Sequence, residues 1–231
     1  MKSLSFNLIV HTRQRGYIKR ELHMTESWCP IHYLGVAIGI KRLPLSAFNP
    51  LLEKIRGKLS AWKVRTLCFA GKSTLVQSVL QSIPVYVTSS GWVSESFLEK
   101  VDGYCRRFLW SKDGDSRGLS LVAWDSLCRL KADGGLGFKK MRLFHEALMG
   151  KQLSRFFAFP SSLWARVISH KYRPSANVWE MQPHRAASQA WRAVVGGREV
   201  LRQGMQWEVG DGASIKTFDD PWVSNCPLRL S

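Results

Sequence analysis

The sequence predicts a mainly α-helical chain with a short strand near the N-terminus and a β-hairpin near the C-terminus. Three observations predict it. Apolar residues recur at three- and four-residue steps over several long stretches, Ser, Asn and Pro stand where helices would start, and β-branched runs are few and short. With 45% apolar residues and ten tryptophans in 231 residues, the chain can bury a core and is not of disordered composition. Its length suits one large domain or two small ones.

Ile31 to Ile40 (I-H-Y-L-G-V-A-I-G-I) is apolar and β-branched with two glycines, the pattern of a strand and tight turn packed against a neighbour. From Asn49 the period becomes helical. Asn49 can cap, Pro50 fits the first helical position, and Leu52, Ile55, Leu59 and Trp62 form one stripe. A second helix is predicted from about Gly71 to Ile83, with Leu75, Val76, Val79, Leu80 and Ile83 apolar and Pro84 ending it before a strand or loop. The third is the clearest. Ser94 or Ser96 caps it, Phe97, Leu98, Val101, Tyr104, Cys105, Phe108 and Leu109 face inward, and Arg106 and Arg107 point away.

Ser111 to Gly118 (S-K-D-G-D-S-R-G) is polar and glycine-rich, as a linker or exposed loop would be. Beyond it, Leu119 to Trp124 reads as a short strand and Asp133-Gly134-Gly135 as a turn. Two further helices are predicted over Met141 to Phe157 and Ser161 to Tyr172, the latter with Leu163, Trp164, Val167 and Ile168 inward. Ser188 to Gln203 reads as a helix stopped by Gly204, weakened by roughly 1 kcal/mol each at Gly196 and Gly197. Trp207, Val209, Ile215 and Phe218 flank Gly210-Asp211-Gly212 as the strands of a hairpin would. No repeat of solenoid period is visible.

Charge narrows the function. Thirty-four Lys and Arg against seventeen Asp and Glu leave +17, which predicts attraction to polyanions and argues against a neutral metabolic enzyme. The excess is concentrated: residues 1–72 carry thirteen bases and three acids, 73–150 ten and eight, 151–231 eleven and six. Within the first third, Lys54, Arg56, Lys58, Lys63, Arg65 and Lys72 are offset only by Glu53, and positions 54, 58 and 65 share a helix side if the helix continues. These six are the candidate phosphate contacts, with a merely solvated basic face as the plainer alternative.

Catalytic patterns are weak. Ala70-Gly71-Lys72-Ser73 resembles the end of a phosphate-binding loop, but Thr66 stands where its first glycine belongs, so it reads as a helix start. Phe218-Asp219-Asp220 offers adjacent carboxylates of the kind that hold two Mg²⁺ ions, yet Pro221 and Trp222 follow and no third acid is patterned with them. His11, His23, His32, His145, His170 and His184 have no partner at triad or metal spacing. The tryptophans, Trp62, Trp110, Trp164 and Trp191 among them, fall on or beside apolar stripes and read as core. Cys29, Cys68, Cys105, Cys128 and Cys226 are odd in number and without C-x-x-C pairs, so free thiols in an intracellular compartment are expected, nuclear and cytoplasmic being equally open. Leu4 to Val10 is too short for a signal peptide. Ser73 to Ser94 is uncharged, but ten of its 22 residues are Ser, Thr or Gln, so no membrane partner is expected. Neither a cofactor nor a metal is predicted.

Taken in order, nine segments resemble the C-terminal part of a plant-type LINE (non-LTR) retroelement reverse transcriptase polyprotein. They are Tyr33-Leu34-Gly35-Val36-Ala37-Ile38-Gly39, Leu51 to Ile55 with Leu59 to Lys63, Ala70 to Val76, Arg107-Phe108-Leu109-Trp110, Gly134-Gly135-Leu136-Gly137, Ala147 to Lys151, Leu163 to Val167, Val209 to Gly212 and Asp220-Pro221-Trp222. The resemblance implies a primer-grip turn at Tyr33, Leu34 and Gly35, a thumb-like helical bundle after it, and a helical linker leading toward a zinc-binding segment and often a ribonuclease H domain. The implied division is 1–40 palm edge, 41–115 thumb, 116–205 linker and 206–231 hairpin segment. In that family the paired-aspartate metal site precedes the primer grip, and the residues before Tyr33 do not supply it, so no enzyme activity is expected of these residues alone. The expected partner is an RNA or DNA duplex held by its phosphates without sequence preference, weakly and salt-sensitively. Two alternatives stay open: a decayed, inert retroelement product, and a thumb subunit completed in trans by a palm-containing chain.

Overall fold

A computed structural model describes residues 5–6, 17, 20–21, 25–26, 31–39, 43–62, 67–111, 118–172 and 187–204. The chain divides into two units, Met1–Met141 and Arg142–Ser231. It is mainly helical, with a short two-stranded antiparallel sheet near the N-terminus, as the apolar periodicity predicts. The hairpin expected around Gly210-Asp211-Gly212 lies outside the described residues, as do residues 112–117 of the loop expected from Ser111 to Gly118.

In the first unit, Ser5–Phe6 (β1) pairs in parallel with Thr25–Glu26 (β2), and Ile31–Tyr33 (β3) pairs antiparallel with Val36–Ile38 (β4). Leu34 (φ 49°) and Gly35 (φ 82°) form the two-residue turn, whose twist requires positive φ at both positions. Glycine adopts that freely; Leu34 adopts it at a cost. The expected strand and turn are therefore present, but part of their apolar surface is open: Tyr33, Leu34 and Ile38 are 63%, 72% and 53% exposed, while Val36 and Ala37 are half-buried.

A 3₁₀ turn at Leu45–Phe48 leads into α1 (Asn49–Ala61), whose N-cap is Phe48 rather than Asn49 and makes no side-chain bond. Asn49 already has helical dihedrals (φ −54°, ψ −43°), because the preceding turn supplies the start a capping side chain otherwise would. The second helix begins earlier than predicted: α2 is Phe69–Leu75, and the Sγ of Cys68 accepts the Gly71 N–H at 3.5 Å. It continues as a π turn, Val76–Leu80, in which the Gln81 N–H reaches the Val76 carbonyl five residues back. The strand or loop expected after Pro84 is a correction, for a further helix, α3 (Val85–Ser90), starts there. Pro84 sits at its N-cap, where a missing N–H costs nothing.

The long helix α4 (Glu95–Trp110) is capped by Ser94, which accepts the Phe97 N–H, and all seven residues of its predicted stripe are buried. Leu119 to Trp124 is not a strand: 119–123 is irregular, Leu119 and Leu121 are exposed, and Trp124–Leu127 forms a one-turn helix, α5. Without a neighbouring strand among the described residues, β propensity alone does not extend this segment. The glycine-rich loop after the 3₁₀ turn Lys131–Asp133 is closely specified. Gly134 (φ 78°) and Gly137 (φ 70°) are left-handed, and a Cβ on Gly135 would lie 2.1 Å from the Arg129 carbonyl oxygen. The loop is held by two glutamines of the π turn region. Gln77 Nε2 donates to the Leu136 carbonyl at 2.6 Å; Gln81 Nε2 donates to the Lys139 carbonyl at 2.8 Å, and Gln81 Oε1 accepts the Lys139 N–H at 3.1 Å.

The second unit takes most of α6 (Met141–Ala158), then α7 (Leu163–Tyr172), α8 (Gln189–Gly196) and α9 (Arg198–Gly204). Its core is Met149, Leu153, Ala187, Trp191, Val194 and Val195. Tyr172 stacks on Trp191 at 5.3 Å, and its hydroxyl donates to the Oγ of Ser188, which caps α8. The helix predicted over 188–203 is broken at Gly197. A Cβ there would lie 2.3 Å from the Gly150 amide nitrogen of α6, so the break lets the two backbones approach. The predicted inward face of α7 is also corrected: Ala165 is buried and Ile168 packs on the core, while Leu163 and Val167 are 75% and 53% exposed.

Candidate nucleic-acid interface

The apolar stripe of α1 decides where its cations go. Leu52 and Ile55 are buried, and ring contacts at both ends seat the helix on α4: Phe48 on Phe97 at 4.9 Å, Trp62 on Phe108 at 5.1 Å. Start meets start and end meets end, so α1 runs alongside α4 in the same direction. At 100° per residue, Lys54 and Lys58 then share one flank of α1 and Arg56 lies on the other. All three are exposed.

The six predicted phosphate contacts therefore do not form one cluster. Lys54 and Lys58 are one turn apart and open to solvent, with no acid paired to them among the described residues. Arg56 turns back to α4, its Nε donating to the Tyr104 hydroxyl at 2.7 Å. Lys63 and Arg65 lie outside the described residues. Lys72 is a correction: it is 8% exposed, and its ammonium donates to the carbonyl of Ser111, the C-cap residue of α4. A buried cation needs such a partner, and the carbonyl end of a helix is where one is stabilised. The Ala70-Gly71-Lys72-Ser73 segment thus lies inside α2 and serves to cap a neighbour. Tyr33 ends β3, and Leu34 and Gly35 form the exposed turn after it.

Sequence reasoning missed the α1–α4 seam. Lys100 and Arg107 stand four residues before and three after Tyr104, on the flank of α4 that Arg56 meets, and both are exposed. The signal was available in their spacing but needed the knowledge that Tyr104 faces α1. The opposite flank of α4 carries Asp102, 8% exposed, whose two carboxylate oxygens accept the Met141 N–H at 3.3 Å. Burial pushes its pKa up to about 6, more than the Met141 amide, Arg106 and Lys140 lower it. Nearby, Lys140 donates to Asp125 at 2.8 Å, a surface pair that holds the Asp125 carboxyl below its ordinary range.

Cys105 is buried and Cys128 half-buried, and desolvation raises both thiols, Cys128 to about 11, so neither is an activated nucleophile. Cys29 and Cys226 lie outside the described residues, as do His11, His23, His184 and Phe218-Asp219-Asp220. His32 and His170 are exposed and His145 is buried. Among the described residues, no group of three or more His, Cys, Asp or Glu could hold a metal ion, and no helix is long and apolar enough to cross a membrane.

Fold and surface together define a basic, mainly helical protein, and comparison with known proteins makes it a retroelement-related one. A protein of Arabidopsis thaliana named for ribonuclease H, At1g65750, is 34% identical over 192 residues, which is 81% of this chain and 31% of that protein. An uncharacterized mitochondrial protein of the same plant, AtMg00310, is 35% identical over 143 residues, 62% of this chain and 93% of its own length. The chain belongs to the family of this mitochondrial protein, and it spans less than a third of the ribonuclease H-named one. No family model matches it.

Proposed function

We propose that this chain is the thumb-and-linker part of a LINE-type reverse transcriptase polyprotein, holding a template-primer duplex by its phosphates without sequence preference and without chemistry of its own. The observation that carries this is the exposed Lys54 and Lys58 pair on a helix whose apolar face is fixed to α4. Two such ammonium groups contact phosphate as point charges, which gives affinity that falls with salt and ignores base identity. The nine resembling segments support the origin, and in the resembled polyproteins a ribonuclease H domain often follows the linker, which agrees with the name of the larger relative. The intracellular setting and the duplex partner belong to the same reading. A labelled primer-template tests it: the chain should retard it at low salt and leave primer and template intact with Mg²⁺ or Mn²⁺. Primer extension or strand cleavage above a heat-killed control would contradict the second half.

One observation favours a second reading, a decayed and inert product or a thumb that a separate palm chain completes. The hairpin turn exposes Tyr33, Leu34 and Ile38, apolar surface of the kind a missing neighbour covers. Absence of duplex binding at low salt selects the inert form; co-purification with a palm-containing chain selects the other.

A further inference from the structure

We propose that the seam between α1 and α4 is itself a phosphate-binding site, in which Arg56 grips one phosphate of a nucleic-acid backbone and Lys100 and Arg107 take two more. The inference rests on the nucleic-acid reading above and names where on the first unit the backbone lies. Arg56 Nε is held by the hydroxyl of Tyr104, a residue only 9% exposed and therefore fixed in the core. With Nε engaged, the guanidinium is locked at the seam and its two terminal nitrogens remain as a fork of donors, the geometry that binds phosphate bidentately at little entropic cost.

Lys100 and Arg107 extend the site along α4. Seven residues separate them, roughly 10 Å of helix rise, enough for the two cations to reach different phosphates of one strand. Gly103, between them and beside them on the helix surface, has nothing within 4 Å of where a Cβ would stand, so the surface there is open to a close backbone approach. Glu99 stands about 100° round α4 from Lys100, and Glu53 is a turn before Arg56. Among the described residues, neither forms an ion pair with the three cations.

Three variants of the whole chain test the site against a short labelled DNA duplex over a range of salt. Lys100→Gln with Arg107→Gln should weaken binding about 5- to 30-fold and lower the log-log salt slope by about two. Tyr104→Phe keeps every charge but frees Arg56, so affinity should fall several-fold with the slope unchanged, the circular dichroism spectrum remaining that of the parent. Lys54→Gln with Lys58→Gln is the comparison. If that pair loses affinity while the Lys100 and Arg107 pair binds as the parent does, the seam site is refuted and the wider reading stands. Wild-type affinity in Tyr104→Phe overturns the fixed role of Arg56. A parent chain that binds no duplex at low salt overturns the wider reading and the seam site with it.

Discussion

Asp102 shows how one buried carboxylate ties stability to pH. Its folded pKa, raised to about 6 from 3.8, means that the native state holds a proton which the unfolded chain has already lost between those values. Its contribution is therefore fully present below about pH 4, declines as pH rises toward 6, and is flat above. Asp102→Asn keeps an acceptor for the Met141 amide and removes the buried charge. It should stabilise the chain near neutral pH by of order 1 kcal/mol once partial solvent screening is allowed for, and by little near pH 4. Urea unfolding of both proteins at the two pH values checks the sign. Lys72 makes the opposite case, a cation the fold requires. Lys72→Met leaves the Ser111 carbonyl unpaired and should cost about 1–3 kcal/mol, while duplex affinity per folded molecule stays close to the parent's. A large loss of affinity at unchanged stability would restore Lys72 to the interface.

At the scale of elements, the glycines separate by what surrounds them. Gly57 lies in exposed α1 with nothing within 4 Å of where a Cβ would stand, so Gly57→Ala should stabilise by about 0.5–1 kcal/mol through helix propensity. Gly135→Ala, facing the Arg129 carbonyl, should instead destabilise by roughly 2 kcal/mol or more; thermal melts should move in opposite directions. The same contrast explains how much of the fold could be read in advance. The stripe of α4 and the starts at Ser94 and Ser188 are local patterns, and they match the structure. What was not legible depends on distant residues: Lys72 on Ser111, 39 residues on, and Gln81 on Lys139, 58 residues on. Propensity misled at Leu119 to Trp124, where no partner strand is found among the described residues, and at α7, where the core reaches Ala165 and Ile168 but not Leu163. The candidate site was legible as a charge excess on α1. Its division into a Lys54 and Lys58 flank and an Arg56 flank followed only from the seating on α4.

For the whole molecule, the question is whether +17 acts as a diffuse charge or through the first unit. A diffuse polycation loses the same affinity wherever two charges are removed, because only the sum matters. A located interface does not. The most direct measurement is the salt dependence of duplex affinity for the parent chain, for Lys54→Gln with Lys58→Gln, and for Arg166→Gln with Arg202→Gln, two exposed cations of the second unit. The proposed interface predicts a steep slope in the parent, a slope shallower by about two in the first variant, and little change in the second. Equal losses in the two variants, or a parent affinity that salt does not weaken, would contradict it.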